Sequence, residues 1–323
     1  MILVTQGHEN SIGLEVFLKS YIMLASSQRK EIILFTNKKT LEKHLNNLFN
    51  SFYIENDNAY FSGATLKCVF SNMGFGHHSE STISLLNALN QINDHDILVT
   101  LPTSKDQLCF NNKPAAGYTE FLRKAYSNKD LAMTFMSDRE NILLVTDHIA
   151  LENVVDEVQR QTIHNKILYS LNTFQKYFFD IDRLLISGLN PHAGENELLG
   201  KQERVITQAI HNLSKVFPKK KFIGPIPGDS LALRGEELSK VLQVYMYHDQ
   251  GLSYFKGRNG LLAANITMGL PFLRMSVDHG TAFELFGKNK ANPLGCLFVL
   301  KKAIHANKRV LENQHENRSH QHI

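Results

Sequence analysis

Leu184-Leu-Ile-Ser-Gly-Leu-Asn-Pro-His192 is the stretch of sequence that indicates the fold class most directly. A short apolar run, typical of a buried strand, ends in glycine and proline, which close a tight loop that presents a histidine. A helical pattern follows over Glu203–Val216. A buried strand, a turn and then a helix is the repeating unit of α/β proteins.

The same unit recurs on both sides of this stretch. Apolar runs of about four residues are typical of strands that are buried on both faces of a parallel sheet. The other runs are Ile2–Thr5, Ile32–Phe35, Ile97–Thr100, Ile142–Val145, Phe222–Gly224 and Val244–Tyr247. Helical patterns lie between them at Ile12–Leu24, Ser81–Ile92, Gly117–Tyr126 and Asp156–Phe178, of which the last is the longest. The alternation predicts open α/β sheets with helices on both faces.

Size and composition narrow the class of protein. A chain of 323 residues is too long for one ordinary core and predicts two packed domains. The formal net charge of +4 is small, which argues against nucleic acid as a partner and suits small anionic substrates. Cys68, Cys109 and Cys296 lack paired spacing, so neither a disulfide framework nor a thiolate metal site is expected.

The ends of the chain and its hydropathy suggest a location. There is no basic leader and no window of 18 apolar residues, so we expect a cytoplasmic protein with no membrane partner. The polar, unpatterned segment Asn313–Ile323 is expected to be a frayed tail.

Three of the fifteen histidines stand out by position. His148, His192 and His248 each come at or just after the carboxyl end of a predicted strand. Ligands of open α/β sheets bind outside those ends, and three converging imidazoles suit a divalent ion such as Zn²⁺, Co²⁺ or Mn²⁺. The gaps of 44 (192 − 148) and 56 (248 − 192) residues match no local metal motif, so an ordinary loop role for each histidine stays open.

Cations that could meet an anionic substrate follow several of the predicted strands. Lys105 and Lys256 could instead be ordinary solvated charges at the surface. Arg274 is less easily explained in that way, because it interrupts a mostly apolar run. The run Gly74-Phe-Gly-His-His78 lacks the third glycine of a dinucleotide fingerprint, and no phosphate-binding loop of the P-loop kind is present. No standard nucleotide motif is therefore predicted.

Four loop sequences together resemble the signature blocks of one enzyme family. They are Asn190-Pro-His-Ala-Gly-Glu195, Gly224-Pro-Ile-Pro-Gly-Asp229, Tyr247-His-Asp-Gln-Gly-Leu252 and Ser276-Val-Asp-His-Gly-Thr-Ala282. The family that they resemble is 4-hydroxythreonine-4-phosphate dehydrogenase, an NAD-dependent enzyme of pyridoxal phosphate synthesis. The resemblance is specific from about Thr146 to Asn289 and weaker before that.

The resemblance implies a fold of the isocitrate/isopropylmalate dehydrogenase type, with two α/β/α domains and a cleft between them. Residues 1–120 plus 265–323 would form a discontinuous first domain on the nucleotide side. Residues 121–264 would form the second, with the metal, substrate and dimer interface. The family implies a homodimer with a shared active site, NAD or NADP as cofactor, and one divalent ion, which would be zinc, magnesium or cobalt.

The resemblance also assigns roles to individual residues. The metal ligands fall on His148, His192 and His248. Substrate contacts fall on Tyr118, Thr119, Lys256, Asn265 and Arg274, and the candidate catalytic residues are Lys105, Asp229 and Asp249. The implied reaction is the metal-dependent, NAD(P)-linked oxidation and decarboxylation of 4-phosphohydroxy-L-threonine to 3-amino-2-oxopropyl phosphate, in vitamin B6 synthesis.

The first half of the chain departs from the family pattern. The glycine loop is eroded over Gly7–Glu15, a glycine is lost from Thr100–Lys105, and Tyr118 replaces a substrate-binding histidine. A phenol can donate a hydrogen bond but has no positive charge near neutral pH. Three alternatives therefore stay open: a sister dehydrogenase acting on 4-phosphothreonate or erythronate, a non-redox metal enzyme such as a lyase or hydrolase, and a catalytically degenerate metal-binding homologue.

Overall fold

The fold was analysed in a computed structural model that describes residues 1–71, 78–232 and 240–320, with side chains as far as residue 314. The chain forms two compact units. The first unit consists of Met1–Asn128 together with Leu270–Ile323, and the second unit is Lys129–Gly269. Gly74 to His77, which belong to the glycine run noted above, lie outside the described residues.

The described residues contain fifteen strands and eleven α-helices. The strands are β1 (Ile2–Thr5), β2 (Ile32–Thr36), β3 (Phe52–Glu55), β4 (Asn58–Phe61), β5 (Ala64–Phe70), β6 (Ile97–Thr100), β7 (Cys109–Phe110), β8 (Lys113–Pro114), β9 (Ala132–Met136), β10 (Asn141–Leu144), β11 (Arg183–Ser187), β12 (Lys221–Ile226), β13 (Val241–Tyr245), β14 (Ala264–Met268) and β15 (Leu273–Val277). The helices are α1 (Gly13–Met23), α2 (Ser26–Arg29), α3 (Lys38–Leu48), α4 (Glu80–Leu89), α5 (Tyr118–Ala125), α6 (Val154–Glu157), α7 (Arg160–Tyr177), α8 (Glu203–Val216), α9 (Gly228–Ala232), α10 (His248–Asn259) and α11 (Leu294–His320).

The strands of the first unit lie in the order β15-β6-β1-β2-β5-β4-β3. The first five are parallel, whereas β4 and β3 add an antiparallel meander at one side. The connection from β1 to β2 and the one from β5 to β6 run in opposite directions across the sheet. Because such crossovers are right-handed, they put α1 and α4 on opposite faces of the sheet.

The strands of the second unit lie in the order β12-β11-β13-β10-β9-β14. The first four are parallel, and β9 runs antiparallel to both β10 and β14. Phe135 of β9, Leu144 of β10, Tyr245 of β13 and Phe255 of α10 belong to one buried cluster. The apolar faces of these strands therefore anchor α10 against the sheet.

The sequence predicted the seven strands that read as continuous apolar runs, and each of them is present. The pairings among these seven strands are parallel, as their apolar runs predicted, and the antiparallel pairings involve β9 and the β3–β5 meander, which were not predicted. In β5 the burial alternates along the strand, which is typical of a strand with one solvated face. Periodicity within a strand reports its burial, but it does not report the direction of its neighbours.

Two predictions about helices were wrong. The pattern Asp156–Phe178 is divided between α6 and α7, because Val158 adopts a non-helical ψ of 72°. The longest helix is α11, and it continues to His320 through the segment expected to be a frayed tail. Residues 321–323 of that tail lie outside the described part of the chain. Within the described residues, no helix is both long enough and apolar enough to cross a membrane.

Candidate functional site

Three predicted ligand loops in the second unit follow neighbouring strands. Strand β13 lies between β11 and β10 and is parallel to both, so the carboxyl ends of all three meet at one edge of the sheet. His192 follows β11, His248 follows β13 and His148 follows β10. The order of the strands therefore puts the three histidine loops side by side, across 100 residues of sequence (248 − 148).

The loops of His148 and His248 are held together beyond the ends of their strands. Val145 N donates to Tyr245 O at 2.8 Å, and Thr146 N donates to Met246 O at 3.0 Å. The centroids of the two imidazole rings are 5.6 Å apart, with 45° between the ring planes. The structure thus brings two of the three predicted metal ligands together.

His192 is exposed in the neighbouring 3₁₀ turn Pro191–Gly194, where its φ of 52° is left-handed. Among the residues that the structure describes, no group of three or more histidine, cysteine, aspartate or glutamate side chains is placed to share an ion. His148 and His248 border a pocket of about 410 Å³. Its other lining residues are Asp147, Ile149, Leu151, Val154, Tyr247 and Asp249.

Asp249 sets the orientation of the His248 ring. Its Oδ1 lies 2.7 Å from Nδ1 of His248. A carboxylate in this position favours a proton on Nδ1, which leaves the lone pair of Nε2 for a ligand. Asp249 is exposed and His248 is partly exposed, so the pair faces the pocket rather than the core. Asp249 therefore has the geometry of an orienting partner of a metal-binding histidine.

The sequence did not predict a buried ion pair at the residue that precedes His148. Nζ of Lys166, on α7, lies 3.5 Å from Oδ2 of Asp147, and both side chains are nearly inaccessible. The other carboxylate oxygen of Asp147 accepts a hydrogen bond from the backbone N of His148 at 3.0 Å. An acidic residue at the end of a buried strand was the available signal, but its partner in a distant helix could not be read from the sequence.

The donor atoms in this pocket fit a divalent ion with borderline-soft character. Imidazole nitrogen is a preferred ligand of Zn²⁺ and Co²⁺, whereas Mg²⁺ prefers oxygen ligands. The imidazoles of His148 and His248 are adjacent, and Asp249 orients the ring of His248. This pair therefore fits zinc or cobalt better than magnesium.

The other predicted residues of the second unit lie on separate elements. Asp229 is exposed in the first turn of α9, and Lys256 is exposed on α10, the helix that begins at His248. Asn265 lies on β14, and its Oδ1 is buried with no hydrogen-bond partner among the described residues. A buried acceptor without a partner is costly, and a ligand that donates to it would remove that cost.

In the first unit, the buried Arg274 contacts the half-buried Tyr118. Nη2 of Arg274 donates to Oγ1 of Thr100 at 2.6 Å, and its Cζ lies 5.1 Å from the centroid of the Tyr118 ring. The Tyr118 hydroxyl donates to the Leu101 carbonyl at 2.9 Å. Burial lowers the pKa of Arg274 to about 10 and raises the pKa of Tyr118. Near neutral pH the cluster is therefore a guanidinium cation on a neutral phenol.

The two remaining predicted residues of the first unit lie near this cluster in sequence. Thr119, next to Tyr118 in the first turn of α5, is buried. Lys105 is exposed in a 3₁₀ turn after β6. The Tyr118 hydroxyl donates to a backbone carbonyl, and the face of the Tyr118 ring contacts the guanidinium of Arg274.

Comparisons with known proteins identify relatives of the chain. The sequence model of the pyridoxal phosphate biosynthetic protein PdxA matches residues 27–303. The chain is 30% identical over 315 residues to a 4-hydroxythreonine-4-phosphate dehydrogenase of Sulfurihydrogenibium sp. (strain YO3AOP1), a match that covers 93% of this chain and 96% of that protein. It is 33% identical over 221 residues to a D-threonate 4-phosphate dehydrogenase of Pectobacterium atrosepticum, covering 67% and 66% of the two chains.

Solved structures agree with the fold class. A 4-hydroxythreonine-4-phosphate dehydrogenase from Klebsiella pneumoniae superimposes with a TM-score of 0.76 at 26% identity and covers 95% of this chain and 99% of that one. An isocitrate dehydrogenase from Methylococcus capsulatus gives a TM-score of 0.52 at 12% identity over 96% of this chain and 87% of that one. The second match concerns the fold alone. The isocitrate dehydrogenase-like α/β fold expected from the loop sequences is confirmed.

Proposed function

We propose, because the chain belongs to the family of the pyridoxal phosphate biosynthetic protein PdxA, that it is a 4-hydroxythreonine-4-phosphate dehydrogenase. The reaction is the metal-dependent, NAD(P)-linked oxidation of 4-phosphohydroxy-L-threonine, followed by loss of CO₂ to give 3-amino-2-oxopropyl phosphate. The observation that carries the proposal is the order β11-β13-β10, which lines up the loops of His192, His248 and His148.

His148, His192 and His248 are the proposed ligands of one divalent ion. A nicotinamide cofactor supplies the hydride acceptor, and the divalent ion supplies Lewis acidity for the substrate hydroxyl and for the ketone that precedes decarboxylation. Zn²⁺ and Co²⁺ are the ions that the nitrogen donors favour. The side chain of Asp249 keeps Nε2 of His248 available, since it binds the other ring nitrogen.

The remaining residues bind the substrate and move its proton. Arg274 and Lys256 hold the anionic ends of the substrate. Oδ1 of Asn265, which has no hydrogen-bond partner within the described part of the chain, accepts a hydrogen bond from the substrate. Asp229 or Asp249 takes the proton from the substrate hydroxyl, while the carbon that bears this hydroxyl loses a hydride to the nicotinamide. Lys105 is proposed to bind another anionic group of the substrate.

The resemblance of the loop sequences also suggests the setting of the enzyme. We assign the nucleotide to the first unit, and the metal and the dimer interface to the second, with the active site shared by two subunits. Exposed apolar side chains such as Leu151 and Leu198 in the second unit support a homodimer. Light scattering should give twice the chain mass. We place the enzyme in the cytoplasm, where phosphorylated metabolites and nicotinamide cofactors are available.

A second candidate substrate is a 4-phosphorylated threonate. The relative from Pectobacterium atrosepticum is named as a D-threonate 4-phosphate dehydrogenase. The loop resemblance implies that Tyr118 of this chain replaces a substrate-binding histidine. The two substrates differ in having an amino group or a hydroxyl group beside the carboxylate. A change among the residues that bind substrate is therefore relevant to the choice between them.

One assay separates these functions. The protein, loaded with Zn²⁺ or Co²⁺, is mixed with NAD⁺ or NADP⁺ and either 4-phosphohydroxy-L-threonine or 4-phospho-D-threonate, and reduced cofactor is followed by its absorbance. We expect turnover with 4-phosphohydroxy-L-threonine. Turnover only with the threonate would replace the proposal by the second candidate. Metal binding without reduction of either cofactor would point to a degenerate or non-redox homologue.

A further inference from the structure

The loop that carries His192 has an unfavourable backbone. His192 and Ala193 have φ values of 52° and 51°, and Glu195, Asn196 and Glu197 are left-handed as well. Residues with a Cβ adopt this region only at a cost, so such a turn persists where its surroundings hold it. The position of His192 therefore depends on contacts from outside its own loop.

Glu203, the first residue of α8, contacts this loop through both carboxylate oxygens. Its Oε1 accepts hydrogen bonds from Leu189 N at 2.9 Å and Asn190 N at 2.8 Å. Its Oε2 accepts one from Nδ2 of Asn190 at 2.9 Å. Burial opposes ionisation of Glu203, but the hydrogen bonds from Asn190 and Leu189 outweigh it and hold its pKa below the usual range. The carboxylate is thus charged and buried against the segment that leads into His192.

Two glycines allow this close approach. A Cβ on Gly194 would lie 2.6 Å from Oε2 of Glu203, and a Cβ on Gly188 would lie 2.9 Å from Cα of Ala193. Neither space can hold a methyl group. The turn therefore closes directly onto the carboxylate of Glu203.

Gln250 connects the same loop to the strand that leads to His248. Its Nε2 donates to the Gly188 carbonyl at 2.8 Å. Its Oε1 accepts from Oγ of Ser187 at 3.0 Å and from the backbone N of Met246 at 2.8 Å. One amide side chain thus binds the end of β11 and the end of β13, which precede two of the proposed metal ligands.

We propose that Glu203 and Gln250 are positioning residues that hold the His192 loop in register with His248, and so fix the backbone from which the third ligand reaches the metal. This inference rests on the proposed metal site. Glu203 fixes the backbone before His192, and Gln250 fixes the distance between that backbone and the next strand. Neither residue is a metal ligand or a catalytic group.

The test measures Zn²⁺ affinity by competition with a chelator, and the Co²⁺ absorption spectrum, in wild type, Glu203→Gln and Gln250→Glu. Each variant keeps the size of the side chain but turns one hydrogen bond into a repulsive contact. We expect affinity to fall at least tenfold and the Co²⁺ spectrum to change. The matched control is Glu197→Gln in the same loop, whose carboxylate pairs with Arg204 at the surface, and its affinity should stay within about twofold of wild type.

Metal-free unfolding curves show which variants are folded, and Gln250→Glu decides the question if Glu203→Gln does not fold. His192→Ala is measured in parallel. Loss of metal from His192→Ala with wild-type affinity in a folded positioning variant would overturn the inference while leaving the metal site intact. Unchanged metal binding in His192→Ala would overturn the metal site and the inference together.

Discussion

The guanidinium of Arg274 lies over the face of the Tyr118 ring, with Cζ 5.1 Å from the ring centroid. The phenol hydroxyl donates to the Leu101 carbonyl. One aromatic residue therefore connects a buried cation to the backbone that follows β6. The contact gives distinct expectations for the ring and for the hydroxyl.

Tyr118→Phe should be tolerated better than Tyr118→Leu. The phenylalanine keeps the ring beneath Arg274 and loses one hydrogen bond, at a cost of about 1 kcal/mol in the free energy of unfolding. The leucine also loses the cation–π contact, which adds about 1–2 kcal/mol at a partly desolvated site. Urea unfolding measures both costs, and KM for the phosphorylated substrate should rise more in the leucine variant. Equal KM values in the two variants would show that the ring does not position Arg274.

Arg274→Lys should lower kcat/KM by about 100-fold. The guanidinium of arginine can contact Thr100 and a substrate anion at the same time, whereas the single ammonium of lysine cannot. Steady-state kinetics measures the effect, and metal content serves as the control. Since Arg274 belongs to the first unit and the histidines to the second, metal content should not change. A normal kcat/KM would remove Arg274 from the proposed substrate site.

Lys166→Met should destabilise the protein by about 3–5 kcal/mol, because it removes the ammonium that pairs with the buried Asp147 carboxylate. Adding Asp147→Asn should recover much of that loss, since no charge is then buried. Chemical denaturation of the two single variants and the double variant measures the coupling between the residues. Additive effects would mean that the ion pair does not contribute as a pair.

His44 should make the stability of the protein depend on pH. Burial lowers the pKa of its imidazole, despite the opposing effect of the Glu9 carbonyl. The unfolded chain therefore takes up a proton near pH 6.5 that the folded chain binds only at lower pH, so stability falls as the pH drops below about 6.5. His44→Gln should have a shallower loss of stability between about pH 7 and pH 5. His211→Gln, at an exposed position of α8, is the matched control and should keep the wild-type slope.

The sequence predicted what is local in this protein. His148, His192 and His248 could be identified because each follows an apolar strand, and strands of that kind are recognisable from a few residues. That these histidines converge was predicted from the position of each at a strand end and from the family resemblance, but the strand order that brings His148 and His248 together, with β13 between β11 and β10, was not predicted. Strand order is set by contacts across the whole unit, which no short pattern contains.

The same distinction explains what was missed. Strand β14 contains Asn265 and Thr267, so it does not read as an apolar run. The ion pair of Asp147 with Lys166 joins a strand end to a helix nineteen residues later (166 − 147), and it became visible only when both were in place. Tyr118 was predicted to contact substrate, a role that stays untested, while its contact with Arg274 could not be foreseen.

The alignment of three histidine loops on neighbouring strands makes their geometry independent of chain length. Backbone hydrogen bonds between β11, β13 and β10 set the separation of the loops, so the number of residues between the histidines does not. Insertions at the exposed turn near Lys219, between α8 and β12, would lengthen the chain and leave the ligands in place. Distant homologues are therefore better recognised by the order of the strands that carry their histidines than by the spacing of those histidines in the sequence.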